Sequence, residues 1–226
     1  MTTKEFSDAF DTMLNSYSDF SSILAFDEYE KSLFLTQAQE QLIVELYTGR
    51  NNKTSSFEET EELRSSLKRL IKTDTPTESS EDFKGISKYS KFFILPNDVL
   101  FITYESATLD DESAGCKNGS EILITPVTQD EFYRVMNNPF RQASKRKALR
   151  LDNGLDIAEI VTKYNIKDYT IRYLSKPTPI ILANLEDVSI DGENKITECK
   201  LDSVMHKYIL ERAVALAIAS RSIQNK

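Results

Sequence analysis

Apolar positions first recur at helical spacing. Phe6, Phe10, Met13, Leu14 and Tyr17 fall three and four residues apart across residues 4–18, which predicts a short amphipathic helix. A second helix is predicted from Asp27, whose carboxylate can accept from free amides while Glu30 reaches back, and it should end at Gly49. Leu35, Ala38, Leu42 and Leu46 make one stripe on it, with Leu33, Val44 and Tyr47 on the opposite side, so two faces ask for cover. A third helix is predicted over residues 57–72, acidic at its start and basic at its end. Residues 73–90 lose the periodicity and read as a long mobile connection.

From Lys91 the character changes. Segments 92–95, 99–104, 122–127, 168–174, 180–182, 188–190 and 195–201 are rich in aromatic and β-branched residues and read as strands. In the clearest of them Tyr169, Ile171 and Tyr173 alternate with Thr170, Arg172 and Leu174. Thr128 and Glu131 have capping-box spacing ahead of a helix through Phe132 and Met136 that ends before Pro139. A final helix over 202–223 is apolar around its whole circumference from Ala213 to Ala219, as a helix packed in a bundle or between subunits would be. This order predicts an α+β fold, a helical bundle formed by N- and C-terminal helices with an inserted antiparallel β subdomain. The expected divisions are 1–72 for the first helices, 73–90 for the connection, 91–200 for the β-rich portion and 201–226 for the closing helix.

Composition narrows the chemistry. The 226 residues include one histidine, His206, and two cysteines, Cys116 and Cys199, too few for a zinc site and leaving one candidate base for a nucleophilic triad. The cysteines read as reduced thiols of a cytosolic setting, more often buried than reactive. Gly115 to Gly119 matches neither the dinucleotide nor the lysine-bearing phosphate loop and reads as a turn. No catalytic residue, cofactor or metal is therefore expected; acidic pairs such as Asp110 with Asp111 read as solvated surface. The amino terminus does not look like a secretory signal. The longest apolar run, seven residues, spans about 10 Å of helix against roughly 30 Å of hydrocarbon, so no membrane span is expected.

Net charge is −8, which opposes general binding to nucleic acid. One segment inverts it: Arg141, Lys145, Arg146, Lys147 and Arg150 fall within ten residues that contain no acid, leaving −13 on the remainder. These five are the candidate partner-contact residues, for phosphate or an acidic protein surface; the plainer reading is a solvated loop or helix face.

Four blocks carry a resemblance to a known family. They are Asp27 to Glu40 leading to Tyr47, Ile124 to Phe132 with Asn138 to Arg141, Ile171 to Ile180, and Cys199 through His206 to Val214. Together they resemble structural proteins of crAss-like phages of gut Bacteroidales, over most of residues 27–219. The last two blocks are also broadly similar to head-to-tail adaptor proteins of short-tailed phages. The resemblance implies a non-enzymatic virion protein of the neck or tail, made in the host cytoplasm and assembled as a homo-oligomeric ring of twelve copies. It further implies the ring next to the portal (ring protein 1 type), in contact with the portal protein, with other tail ring proteins and transiently with the genome leaving through the channel. Outside that class, the sequence also admits a scaffolding or regulatory protein-binding module, and an enzyme working with surface carboxylates near His206.

Overall fold

The computed structural model describes residues 1–16, 25–49, 65–81, 83–154 and 156–224. It divides into two compact units, one made of residues 1–70 together with 177–226, the other of residues 71–176. The molecule is of mixed α and β type.

In the first unit, helix α1 (Thr3–Ser16) buries Phe6, Phe10 and Leu14, one stripe at spacing four. Helix α2 (Glu28–Thr48) starts as predicted: Asp27 accepts from the Glu30 amide at 2.7 Å, and the Glu30 carboxylate accepts from the Asp27 amide at 3.2 Å. Gly49 ends it in the left-handed conformation, φ 65°, its amide bonded to the Glu45 carbonyl, a backbone state that costs glycine nothing for want of a Cβ. The closing helix packs against both and lies one residue further along than expected, at Ser203–Gln224. It is numbered α4 here, α3 being the short helix of the second unit. Ala213, Val214 and Ala217 are buried in it, while Val204, Tyr208, Ala215 and Ala219 face outward, so its apolar circumference is covered on one side only.

The inner face of α2 is not the simple apolar stripe that the spacing suggests, because Ser32, Thr36 and Gln39 are buried on it beside Leu35, Ala38 and Ile43. These three side chains bind the extended segment 178–182. Ser32 Oγ accepts from the Leu182 amide and Thr36 Oγ1 from the Ile180 amide, both at 3.0 Å, and Gln39 Nε2 donates to the Thr178 carbonyl at 2.9 Å. The repeats are commensurate: four helical residues rise about 6 Å, and two extended residues advance about 6.6 Å. Segments 180–182, 188–190 and 195–201, expected as strands, are thus not part of a sheet; they form only the isolated bridges Ile181–Thr197 and Ile190–Glu193. Pro177 and Pro179 offer no amide, and the donors that follow them are taken by α2 side chains rather than by a ladder. Buried Lys31 ties α2 to α1 through Asp11 at 2.7 Å, with Glu28 at 3.2 Å. Burial opposes its charge, yet those hydrogen bonds and charges outweigh burial and raise its pKa.

The second unit is an eight-stranded sheet: β1 (Ile71–Asp74), β2 (Thr77–Glu78), β3 (Ser90–Ile94), β4 (Val99–Leu109), β5 (Glu121–Pro126), β6 (Lys147–Asp152), β7 (Ile157–Val161) and β8 (Ile166–Ser175). Their spatial order is β1-β8-β4-β5-β6-β7-β3-β2. The expected connection at 73–90 therefore contains half of β1 and all of β2, which pair with β8 and β3. Of the helix predicted over 57–72, residues 65–70 are helical and 3-10 turns and Ile71 and Lys72 are already strand; residues 57–64 lie outside the described residues. The sheet is not wholly antiparallel, since β5 and β6 pair in parallel. A parallel pair needs a crossover, and α3 (Phe132–Met136) supplies it. The Thr128–Glu131 capping box is absent: α3 begins without a side-chain cap, because Glu131 turns to Arg134 as an ion pair.

β6 is buried on both sides. Ala148 belongs to the main core with Phe93, Ala107, Ile160, Tyr169 and Ile171, whereas Leu149 and Leu151 join Phe132, Val135 and Val161 beneath α3.

Candidate functional site

The five basic residues lie on the connection from α3 and along β6, and the structure separates them. Arg141 and Arg146 are exposed and make no ion pair among the described residues. Lys145, also exposed, donates to the carbonyls of Ser113 and Ala114 at 3.4 and 3.3 Å, in the 3-10 turn Glu112–Lys117 ahead of β5. Lys147 is half-buried at the first position of β6.

Arg150 is not a surface residue. Strand alternation puts it on the same side of β6 as Ala148, the side of the main core, and its side chain is only 11% exposed. There Nε donates to Glu105 Oε2 at 3.0 Å and lies 2.9 Å from Oε1 in the same ion pair, and Nη1 pairs with Asp152. Glu105 also accepts from the Tyr169 hydroxyl at 2.5 Å, so one buried carboxylate joins β4, β6 and β8. Burial pushes the Glu105 pKa up against the pull of Arg150 and Tyr169, and burial with the adjacent carboxylate pushes the Tyr169 phenol up. The candidate contact set is thereby reduced to Arg141, Lys145, Arg146 and Lys147, because Arg150 is committed within the chain. Glu105 carried a sequence signal, a lone carboxylate inside the apolar run Val99 to Leu109, that pattern reading passed over.

Immediately before these residues, Asn137, Asn138 and Pro139 lead to Phe140, whose side chain is 95% exposed. The turn that carries it is braced: the Phe140 amide donates to Asn138 Oδ1 at 3.0 Å, and the amides of Arg141 and Gln142 reach the Asn138 carbonyl at 3.0 and 2.9 Å. Tyr133 on α3 is exposed as well. Beyond the other end of the crossover, Pro126, Val127, Thr128, Gln129 and Asp152 line a surface recess.

The remaining candidates resolve into structure. His206 is buried, its ring 5.1 Å from that of Phe6, with Nδ1 2.8 Å from the Met1 nitrogen and Nε2 3.3 Å from the Leu201 carbonyl. Burial, then the Met1 ammonium, lower its pKa. Cys199 lies against Gln39 Oε1 at 3.2 Å and burial raises its thiol to about 11, whereas Cys116 is exposed, contrary to the expectation of buried thiols. Asp111 braces its own loop, accepting from Ser113 and from the Asn165 amide. Among the described residues no group of three or more His, Cys, Asp or Glu side chains is placed to hold a metal ion, and no helix is long and apolar enough to cross a membrane.

Comparison with known proteins identifies the family. The profile of the phage tail ring protein 3/4 family matches residues 1–226. Ring protein 3 of Bacteroides phage crAss001 is 50% identical over 224 residues, covering 98% of this chain and 97% of the relative. Ring protein 4/5 of the same phage is 31% identical over 231 residues, covering 97% and 93%. The crAss-like resemblance holds, but these matches replace the expected ring protein 1 type. The chain belongs to the phage tail ring protein 3/4 family.

Proposed function

We propose that this chain is a non-enzymatic structural protein of the virion, assembling as a closed ring of twelve copies in the tail, around the path by which the genome leaves. The observation that carries the reading is the family match across all 226 residues, joined by two relatives that are themselves named ring proteins. Twelve copies is the number taken from the likeness to head-to-tail adaptors. Contact with the portal loses the ground it had when the likeness pointed to the first ring, and we propose other tail rings as the neighbours instead. The net charge of −8 suits a conduit, since a basic lining would hold a polyanion during ejection.

In this reading the helical unit, formed from both ends of the chain, carries the sheet as an insert, and the outward residues Leu33 and Val44 of α2 and Val204 and Tyr208 of α4 meet other subunits. The test is mass spectrometry of purified particles followed by imaging of the tail. The chain should be abundant in particles and visible as a ring; its absence, or its presence without rotational symmetry, overturns the reading.

A further inference from the structure

We propose that Phe140, with Arg141 next to it in the chain, seats in the recess lined by Pro126, Val127 and Asp152 of a second copy of this chain, making the head-to-tail contact of the ring. The proposal rests on the ring reading and names its interface.

A phenyl ring held 95% in water on a braced turn is poised for burial. Aromatic and arginine anchors surrounded by near-neutral contacts are the usual energetic centres of protein interfaces. Here Arg141, exposed and next to the aromatic in the chain, has no carboxylate partner among the described residues. The matching surface is an apolar recess with acids at its rim, and this chain has one. Pro126 and Val127 supply the apolar wall. Asp152, its side chain 79% exposed, shares the single guanidinium of Arg150 with Glu105, so the rim keeps an excess of negative charge. Exposed Asp130 lies beside it in sequence.

Topology places ring and recess apart. β5 and β6 pair in parallel from Leu123 with Lys147 to Pro126 with Arg150, and each strand is six residues long, about 20 Å. Pro126 and Asp152 end those strands. Arg146 and Lys145 lie at their starts, where the Arg146 carbonyl accepts from the Leu123 amide and Lys145 reaches the turn that precedes β5. The crossover thus leaves from the recess and delivers Phe140 toward the opposite end. An acidic recess and a basic aromatic knob at two ends of one rigid element make two different surfaces, which define a heterologous contact. Repetition of such a contact closes a ring when the rotation allows. A second copy also answers the charge pattern, since the basic run is the exception in a chain of net −8.

The test uses the full chain in assembled particles, with Cys116→Ser removing the exposed native thiol. Phe140→Cys and Val127→Cys are introduced singly and together, and the particles are treated with a short bis-maleimide. The double variant should give a ladder of multimers made of this chain alone, and each single variant none. Chain present in tails, with both cysteines labelled by a monofunctional maleimide but no ladder, overturns the contact and leaves the ring reading standing. Cross-links to a different tail protein do the same and identify the occupant. A chain absent from particles overturns both.

Discussion

Replacing Thr36 by valine removes a hydroxyl while conserving shape, and so isolates what the α2 side chains do for segment 178–182. Thr36 is 5% exposed and Ile180 fully buried, so water cannot take over the lost bond. Two contacts disappear: the Ile180 amide to Thr36 Oγ1 at 3.0 Å, and Thr36 Oγ1 to the Ile180 carbonyl at 3.4 Å, the latter too long to count for much. Stranding a buried amide costs about 1–3 kcal/mol, against a gain of at most about 0.8 kcal/mol for the new buried methyl. The net expectation is a loss of about 1–2 kcal/mol in urea unfolding, with hydrogen exchange at the Ile180 amide about tenfold faster. Thr48→Val, which deletes an exposed bond to the Val44 carbonyl on the same helix, is the control and should stay within about 0.5 kcal/mol. Equal effects at the two positions, or an Ile180 amide that exchanges no faster, would refute the claim that α2 takes the place of a strand partner.

Glu105→Ala leaves a nearly buried guanidinium with only Asp152 and strips the Tyr169 hydroxyl of its acceptor, so it should cost about 3–5 kcal/mol in denaturant unfolding, whereas Arg146→Ala should cost almost nothing. Gly85→Ala puts a Cβ 2.4 Å from Ser90 Cβ and 2.9 Å from Glu159 Oε1, where Glu159 already accepts from Ile86 at 2.7 Å; a loss of roughly 1–3 kcal/mol is expected in thermal unfolding. His206, with its folded pKa below the unfolded value of 6.5, binds its proton more readily in the unfolded chain, so stability should fall as pH drops below 6.5 and that slope should flatten in His206→Gln. Lys145, Arg146 and Lys147 replaced together by glutamate should leave urea unfolding nearly unchanged yet reduce incorporation into particles; normal incorporation would make the segment a solvated face.

Local signals read well. The capping box at Asp27 and the stop at Gly49 depend on neighbours within four residues, and both are found where the sequence puts them. The alternation of β8 is equally local, with Tyr169, Ile171 and Tyr173 buried along one face. Failures occur where burial is two-sided or a partner lies far along the chain. β6 has no alternation to show, because Ala148 and Leu149 are both fully buried, one on each side, and its arginine and lysine resembled a surface run. The Asp152-Asn153-Gly154 turn before the apolar stretch Ile157 to Val161 is a hairpin signal that could have found both strands. Arg150 shows the limit for the site: its charge is visible in the sequence, but its partner Glu105 and the Tyr169 that shares that carboxylate lie 45 and 19 positions away on other strands. Phe140 reads as one more apolar residue, since its exposure follows from a turn built by Asn138.

The division of the first unit between residues 1–70 and 177–226 sets an order on biosynthesis. A ribosome releases α1 and α2 first, when the extended segment 178–182 that binds Ser32, Thr36 and Gln39 does not yet exist. Residues 71–176 hold all their strands in one continuous stretch and can close as soon as β8 emerges. The early helices must wait through about 130 residues of synthesis, several seconds or more at ordinary translation rates, with Phe6, Phe10 and Leu35 uncovered. Nascent chains on one message are therefore kept from premature association through these helices only by whatever shields them in that interval. Until residues 178–182 emerge, Ser32, Thr36 and Gln39 on α2 face water in place of the backbone groups they bind in the finished subunit.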